Sequence, residues 1–178
     1  TGFLNGKRLS VISTGIGTDN IDIVLNELDA LVNIDLNTKK IKKEHTALQI
    51  IRLGTSGSLR EEIDVNSFVA SSAGLGLDNL LHYYKHDLKI PELPIPLPVN
   101  AYFCNASKTL LSKFDTLAKG ITATCPGFYG PQGRSLRLKV FNEKLLDDLK
   151  SIKIENQTVV NFEMETAGIY GLAHLLGH

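Results

Sequence analysis

Apolar residues recur along the chain in short runs that glycine, proline and charged residues separate. Runs rich in β-branched and apolar side chains predict strands over residues 9–14, 48–53, 65–73, 120–124 and 158–161, with an extended piece over 99–104. Helical spacing predicts helices over 107–117, 142–152 and 163–176, and another after Asp19 with apolar residues at 21, 24, 25, 28, 31 and 32. Strands that alternate with helices of this length predict an α/β fold with a parallel or mixed sheet.

Two stretches do not fit this alternation. The polar segment 33–44 carries four lysines and is typical of a solvated excursion. Residues 90–99 read IPELPIPLPV, and the prolines exclude a helix or a central strand there. The apolar residues between the prolines predict a packed loop, and not a linker between domains. We also expect the Gly74-Leu75-Gly76 triplet to end the third strand.

Composition narrows the class of protein. With 178 residues, 43% of them hydrophobic, the chain is long enough for one sizeable core and is expected to form a single domain over 1–178. The 19 basic and 19 acidic side chains cancel, which argues against a nucleic-acid or membrane-surface partner. No apolar run approaches the roughly 20 residues of a membrane span.

Cys104 and Cys125 form no CxxC pair, which favours a reducing, cytoplasmic location. Because the chain begins with Thr1, we expect a processed protein or a piece of a longer one.

The first candidate site is Arg52 with the loop GTSGS that follows it. An arginine at the end of an apolar strand is costly to bury unless its charge meets an anion. The hydroxyls of Thr55 and Ser56, and the amides of a glycine-rich loop, suit a phosphate. A buried ion pair between Arg52 and a core carboxylate explains the same residues equally well.

The second candidate is the segment FYGPQGR, residues 128–134. The amide of Gln132 and the guanidinium of Arg134 together match a heterocycle with adjacent carbonyl and N–H groups, and Phe128 can stack on the ring. A glycine-proline turn with solvated polar residues is the simpler interpretation.

The third candidate is NFEME, residues 161–165, where a strand meets a helix. Carboxylates in a first helical turn often do no more than complement the helix dipole. A carboxylate that accepts two hydrogen bonds is also the simplest receptor for a vicinal diol, so Glu165 could hold a ribose.

Two weaker possibilities involve other chemistry. Cys125 could be a nucleophile, although no histidine stands in a recognisable partner motif. His82 and His86 lie four residues apart, but HYYKH lacks the glutamate of a zinc-hydrolase helix, so we expect no metal site.

Taken together, STGIG (13–17), RLGTSG (52–57), FYGPQGR (128–134) and FEMET (162–166) resemble the nucleoside phosphorylase superfamily, and uridine phosphorylases most closely. The resemblance covers nearly the whole chain. It implies a three-layer α/β/α fold around a mixed central sheet and a homo-oligomer built from dimers. It also implies phosphorolysis of a nucleoside, such as uridine, to free base and ribose 1-phosphate, with phosphate as co-substrate and no cofactor.

The resemblance assigns roles by position. Arg52, Arg134 and Glu165 are the expected catalytic residues. Phosphate is expected on Arg52 and Thr55, and ribose on Glu163, Met164 and Glu165. The expected base-binding residues are Ser56, Gly57, Phe128, Gln132 and Arg134.

The chain also departs from the family pattern. Gly130-Pro131 stands where uridine phosphorylases usually have Pro-Gly, and Gly133 replaces a common acidic residue. The Gly-Asp-Pro-x-Arg phosphate loop of the family does not occur, and the sequence stops before the strand that completes the base pocket. We therefore expect a part of a longer domain. The alternatives are a purine nucleoside phosphorylase or nucleosidase of the same superfamily, or an inactive nucleoside-binding fragment.

Overall fold

The computed structural model describes all residues from 1 to 178. The strands are β1 Gly2–Leu4, β2 Lys7–Leu9, β3 Ile34–Asp35, β4 Lys40–Ile41, β5 Gly57–Ser58, β6 Val69–Gly76, β7 Tyr102–Asn105, β8 Ala118–Thr124, β9 Lys153–Ile154 and β10 Gln157–Glu163. The α-helices are α1 Thr18–Asn33, α2 Lys108–Leu111, α3 Leu145–Ser151 and α4 Thr166–Leu176. None of these helices is long and apolar enough to cross a bilayer.

A six-stranded mixed sheet forms the centre of the fold. Its order is β5-β10-β8-β6-β7, and β9 pairs with β10. The three central strands β6, β8 and β10 are parallel, whereas β5, β7 and β9 are antiparallel to their neighbours. The carboxyl ends of the parallel strands therefore lie at one edge of the sheet, where α/β proteins commonly bind ligands.

Helices cover both faces of the sheet. Because side chains alternate along a strand, Ile121 and Ala123 of β8 face one cluster of buried apolar residues, which includes Leu149 of α3. The opposite face packs on α4, and the cluster there joins α4 to Ile21 of α1. This arrangement confirms the expected three-layer α/β/α fold with a mixed sheet.

Strand β6 corrects one expectation from the sequence. It begins at Val69 and runs through the Gly74-Leu75-Gly76 triplet, although we expected the triplet to end it. The glycines leave room for close neighbours: a Cβ at Gly74 would lie 2.6 Å from the Cα of Ala167, and one at Gly76 would lie 2.1 Å from Cζ of Tyr102. These glycines therefore serve packing, and not strand termination.

Two predicted strands are absent from the central sheet. Only Leu9 of the predicted strand 9–14 lies in a strand, at the end of the exposed β1-β2 hairpin. Residues 48–53 form no strand, and Leu53 is exposed while Ile50 packs against α1 and α4. An apolar run encodes a preference for burial, but it does not supply the neighbouring backbone that a strand requires.

Helices form at the predicted positions, but their bounds differ from the predicted ones. The N-cap of α1 is Gly17, and Asp19 lies in the first turn without capping it. The helix predicted over 107–117 is the short α2 followed by a 3-10 turn. The last helix begins at Thr166, since β10 continues to Glu163. The packed proline-rich loop is confirmed, because Leu93, Ile95 and Leu97 pack against the core.

His178 joins the C-terminal end of the chain to α1 and to the segment that leads to Arg52. Its side chain is 1% exposed; Nδ1 accepts a hydrogen bond from the Leu48 amide at 3.2 Å, and Nε2 lies 3.4 Å from Asp29 Oδ1. Because Nδ1 accepts the hydrogen bond from the Leu48 N–H group, it carries no proton. Burial lowers the pKa of His178, His45 lowers it further, and Asp29 opposes the change.

We expect this histidine to make the fold sensitive to acid. At pH values well above about 6.5 both the folded and the unfolded chain carry a neutral His178, so it adds no pH dependence. Below that pH the unfolded chain binds the proton more readily, and the free energy of unfolding falls. Thermal unfolding at pH 7.5 and 5.5 measures this drop. A His178→Gln variant that loses as much stability as the parent protein over this range would contradict the assignment.

Candidate active site

A cavity of about 1090 Å³ opens at the carboxyl edge of the parallel strands. Its walls come from the segments that follow β8 and β10, from residues 13–16 before α1, and from the loop at 52–57. All the residues to which the sequence assigned a role line it: Arg52, Thr55, Ser56, Gly57, Phe128, Gln132, Arg134, Glu163, Met164 and Glu165. The fold thus brings the three candidate segments to one cavity.

Glu163, the last residue of β10, is the most enclosed carboxylate of the site. Its Oε1 accepts a hydrogen bond from Thr124 Oγ1 at 2.6 Å, and Oε2 accepts from the Glu165 amide at 2.9 Å. The Thr166 amide lies 3.0 Å from both oxygens. With a side chain only 2% exposed, Glu163 ties β8, β10 and the start of α4 together.

Glu165 connects three parts of the chain. Its Oε1 accepts a hydrogen bond from the Gly17 amide at 2.7 Å, and its Oε2 accepts one from Arg52 Nη2 at 2.5 Å. Each oxygen therefore keeps one lone pair. The backbone at Gly17 has φ of 92°, a conformation that favours glycine, and it directs the amide toward the carboxylate.

Arg52 pairs with both carboxylates. Its Nη2 lies 2.5 Å from Glu165 Oε2 and 3.0 Å from Glu163 Oε2, so the ion-pair interpretation of this arginine describes the structure. Both contacts use one nitrogen, and Nε and Nη1 donate no hydrogen bond within the chain. The guanidinium lies against Gly54, where a Cβ would stand 2.7 Å from Nη2. Arg52 is therefore held in place while it keeps N–H groups for an anion.

Gln132 and Arg134 form a second polar group on the cavity wall. Arg134 Nη1 donates to Gln132 Oε1 and, at 2.7 Å, to the carbonyl of Phe128. The guanidinium carbon lies 4.0 Å from the Phe128 ring centroid. Gln132 is 3% exposed, so these residues are not simply solvated turn residues. Gln132 Nε2 also lies 3.5 Å from the carbonyl of Glu163, so contacts within the chain fix both ends of the amide beside the guanidinium and the aromatic ring.

Sequence reasoning missed the residues that hold the site together. Gly17 belongs to the STGIG motif but had no role there, and nothing singled out Thr124. Thr124 Oγ1 donates to Glu163 and accepts from the Ala167 amide at 2.8 Å. A threonine at the end of a parallel strand, directly opposite Glu163 in the register, is the only available signal.

The two weaker possibilities find little support in the geometry. Burial raises the pKa of the Cys125 thiol to about 12, so it stays protonated near neutral pH. The rings of His82 and His86 are 6.4 Å apart, and His82 Nε2 contacts the carbonyl of Asn100 at 2.7 Å.

Residues 1–178 match the phosphorylase superfamily along their whole length. The chain belongs to this superfamily. Superfamily members of both pyrimidine and purine type are similar to it. A uridine phosphorylase of Thermococcus kodakarensis is 29% identical over 180 residues, which cover 99% of this chain and 56% of that protein. A DeoD-type purine nucleoside phosphorylase of Streptococcus pneumoniae is 30% identical over 173 residues, which cover 97% of this chain and 60% of that protein.

A solved structure gives the same family. A Trypanosoma brucei nucleoside phosphorylase, described as showing uridine phosphorylase activity, superposes with a TM-score of 0.75 at 27% identity. The match covers 93% of this chain and 66% of that one. The chain therefore spans rather more than half the length of these phosphorylase superfamily relatives, and it carries their fold.

Proposed function

We propose that this chain is part of a nucleoside phosphorylase that cleaves uridine, or a related pyrimidine nucleoside, to free base and ribose 1-phosphate. One observation carries the proposal: Arg52 and Arg134 lie on the walls of the same cavity, with Glu165 on that wall as well. Two cations and a carboxylate around one cavity suit an anion, a leaving base and a sugar between them.

Phosphate is proposed to bind at Arg52 and Thr55. The Nε and Nη1 groups of Arg52 are free to donate, and Thr55 is exposed on the cavity wall. Planar guanidinium donors match phosphate oxygens in pairs, which favours this arrangement over a single point charge. The ion pairs to Glu163 and Glu165 set the direction of the guanidinium before the anion arrives.

Ribose is proposed to bind at Glu165 with Met164 beside it. Each oxygen of Glu165 keeps a lone pair, so the carboxylate can accept from the 2′ and 3′ hydroxyls. Glu163 uses its oxygens on Thr124, on two amides and on Arg52. We therefore propose that Glu163 acts on the ribose through its hold on Arg52 and the Glu165 backbone.

The base is proposed to bind against Gln132, Arg134 and Phe128, with Ser56 and Gly57 as further walls. As phosphate approaches C1′ and the glycosidic bond lengthens, the ribose becomes oxocarbenium-like and negative charge grows on the base. Arg134 and Gln132 stabilise that charge, and an interaction that strengthens in the transition state raises the rate. The reaction needs no metal or organic cofactor in this scheme, because positioning and charge supply the catalysis.

A purine nucleoside phosphorylase is the second candidate. The similarity to a DeoD-type purine enzyme, at 30% identity, favours it as much as the uridine phosphorylase similarity favours the first. The Gln132-Arg134 pair supports the first candidate, because these residues resemble the pair that binds the uracil edge in uridine phosphorylases.

Assays with uridine and inosine, each with and without phosphate, test this proposal. We expect uracil and ribose 1-phosphate from uridine only when phosphate is present. Inosine cleavage in phosphate would favour the purine enzyme, and cleavage without phosphate would indicate a nucleosidase. Calorimetric binding of uridine with no product at high phosphate would indicate an inactive binding module.

We further propose a cytoplasmic homo-oligomer built from dimers. Large apolar side chains near the cavity, including those of Ile16 and Leu53, are exposed, and a second subunit would cover them. Light scattering of the purified protein measures the number of subunits.

A further inference from the structure

A row of hydrogen-bonded polar side chains crosses the central sheet and ends at the cavity. Ser71 Oγ lies 2.5 Å from Thr122 Oγ1, and Thr122 Oγ1 donates to Asn161 Oδ1 at 2.7 Å. Asn161 Nδ2 then donates to Ser56 Oγ at 2.8 Å. The four side chains come from β6, β8, β10 and the loop before β5.

This row is unusual because its centre is closed to solvent. Thr122 is fully buried and Asn161 is 5% exposed, in a sheet whose other face is apolar. A buried amide that lacks partners is costly, so a sequence keeps one where its hydrogen bonds are satisfied and specific. Ser56, at the end of the row, is exposed on the cavity wall.

The direction of the hydrogen bonds determines what Ser56 can offer. Thr122 has one hydroxyl proton and gives it to Asn161 Oδ1, which places the amide nitrogen toward Ser56. Since Ser56 Oγ accepts from that nitrogen, its own proton is not used within the row. Ser56 is thereby a hydrogen-bond donor toward the cavity.

The loop around Ser56 has little freedom to change this arrangement. Gly57 pairs with Phe162 of β10, and a Cβ at Gly57 would lie 2.7 Å from Cζ of the Phe162 ring. The backbone next to Ser56 therefore lies directly on an aromatic ring of the core. Asn161, the residue before Phe162, fixes the hydroxyl from the same strand.

We propose that Asn161 is a positioning residue that sets Ser56 as a donor to an acceptor oxygen of the bound nucleoside. This inference rests on the proposed nucleoside-binding function. In this proposal Asn161, whose side chain is buried in the sheet, makes the site specific for an acceptor oxygen. Thr122 orients the amide of Asn161.

Asn161→Asp tests the direction of the row with the smallest change in shape. The ionised carboxylate can only accept, so it draws the Ser56 proton away from the cavity. We expect the Kd for uridine, measured by calorimetry, to rise about tenfold, which corresponds to about 1.4 kcal/mol. Lowering the pH should recover part of the affinity, since a protonated carboxyl donates as the amide does. Phosphate binding should change little.

A double-mutant cycle with Ser56→Ala separates positioning from general damage. Ser56→Ala alone should raise the uridine Kd by a similar factor, and the double variant should be no weaker than Ser56→Ala. Thr122→Val should resemble Asn161→Asp, because the amide then loses its orienting donor. Ser58→Ala is the matched control, since the Ser58 hydroxyl bonds only to the Arg60 backbone and its removal should leave uridine binding unchanged.

Three outcomes would overturn the inference. They are uridine affinity of Asn161→Asp equal to that of the parent protein, additive losses in the double variant, and no recovery at lower pH. A parent protein that binds uridine but releases no base would contradict the proposed phosphorolysis and leave this cycle measurable. A parent protein that binds no uridine would refute both proposals.

Discussion

Replacing Glu165 with glutamine lowers kcat/KM for uridine by about 100-fold or more. The amide has one acceptor oxygen where the carboxylate has two, so its NH₂ group must face either the Gly17 amide or Arg52. One of those donors then loses its partner, and the ribose loses an acceptor. Steady-state kinetics at saturating phosphate measure the effect.

The stability of the Glu165→Gln protein provides a second measurement. A buried donor left without a partner costs about 1–3 kcal/mol. Arg52 keeps Glu163 as a partner at 3.0 Å, which limits the loss. Glu155→Gln is the matched control, because Glu155 also pairs with a cation, Lys89, but on the exposed surface. If the two variants had equal activity, Glu165 would have no role in the reaction.

Replacing Arg134 with alanine lowers kcat on uridine by about 100-fold, while phosphate binding changes little. The guanidinium lies on Phe128 and bonds to Gln132, so its loss removes the cation nearest the proposed leaving base and frees the amide of Gln132. Removing one donor to a developing negative charge typically costs about 10²–10³ in kcat. The comparison requires kcat for uridine and, separately, the Kd for phosphate.

Arg137→Ala controls for the loss of a positive charge from the same segment. Arg137 is exposed and does not line the proposed nucleoside cavity. We expect its kcat to match that of the parent protein. Equal losses of uridine turnover and phosphate affinity in Arg134→Ala would remove Arg134 from its assigned place beside the base.

The pattern of apolar residues predicted the centre of the fold and failed at its edges. Residues 120–124 and 158–161 lie in β8 and β10. Both faces of the sheet are covered there, so an apolar run is buried as a central strand. The run at 48–53 is as apolar as these, yet it forms no strand. An apolar run carries no information about which backbone lies next to it. A segment becomes a strand of the sheet only if a neighbouring strand pairs with its backbone groups.

Glycine illustrates the same limit. The triplet at 74–76 was expected to break a strand, because glycine lowers strand propensity. In the fold Gly74 and Gly76 lie where Ala167 and Tyr102 approach the strand too closely for any side chain. The need for that space arises from α4 and β7, which are distant along the chain.

The sequence by itself determined the α/β class, the order of the central strands and helices along the chain, and the three segments whose residues line one cavity. Only the tertiary structure decided how these residues act on one another: Arg52 lies between Glu163 and Glu165, and Asn161 bonds to Ser56. The physical reason is that local patterns encode burial and backbone conformation, which depend on near neighbours. Hydrogen-bond partners separated by 105 or 113 residues are chosen only when the fold brings the loop at 52–57 against β10 and the residues that follow it.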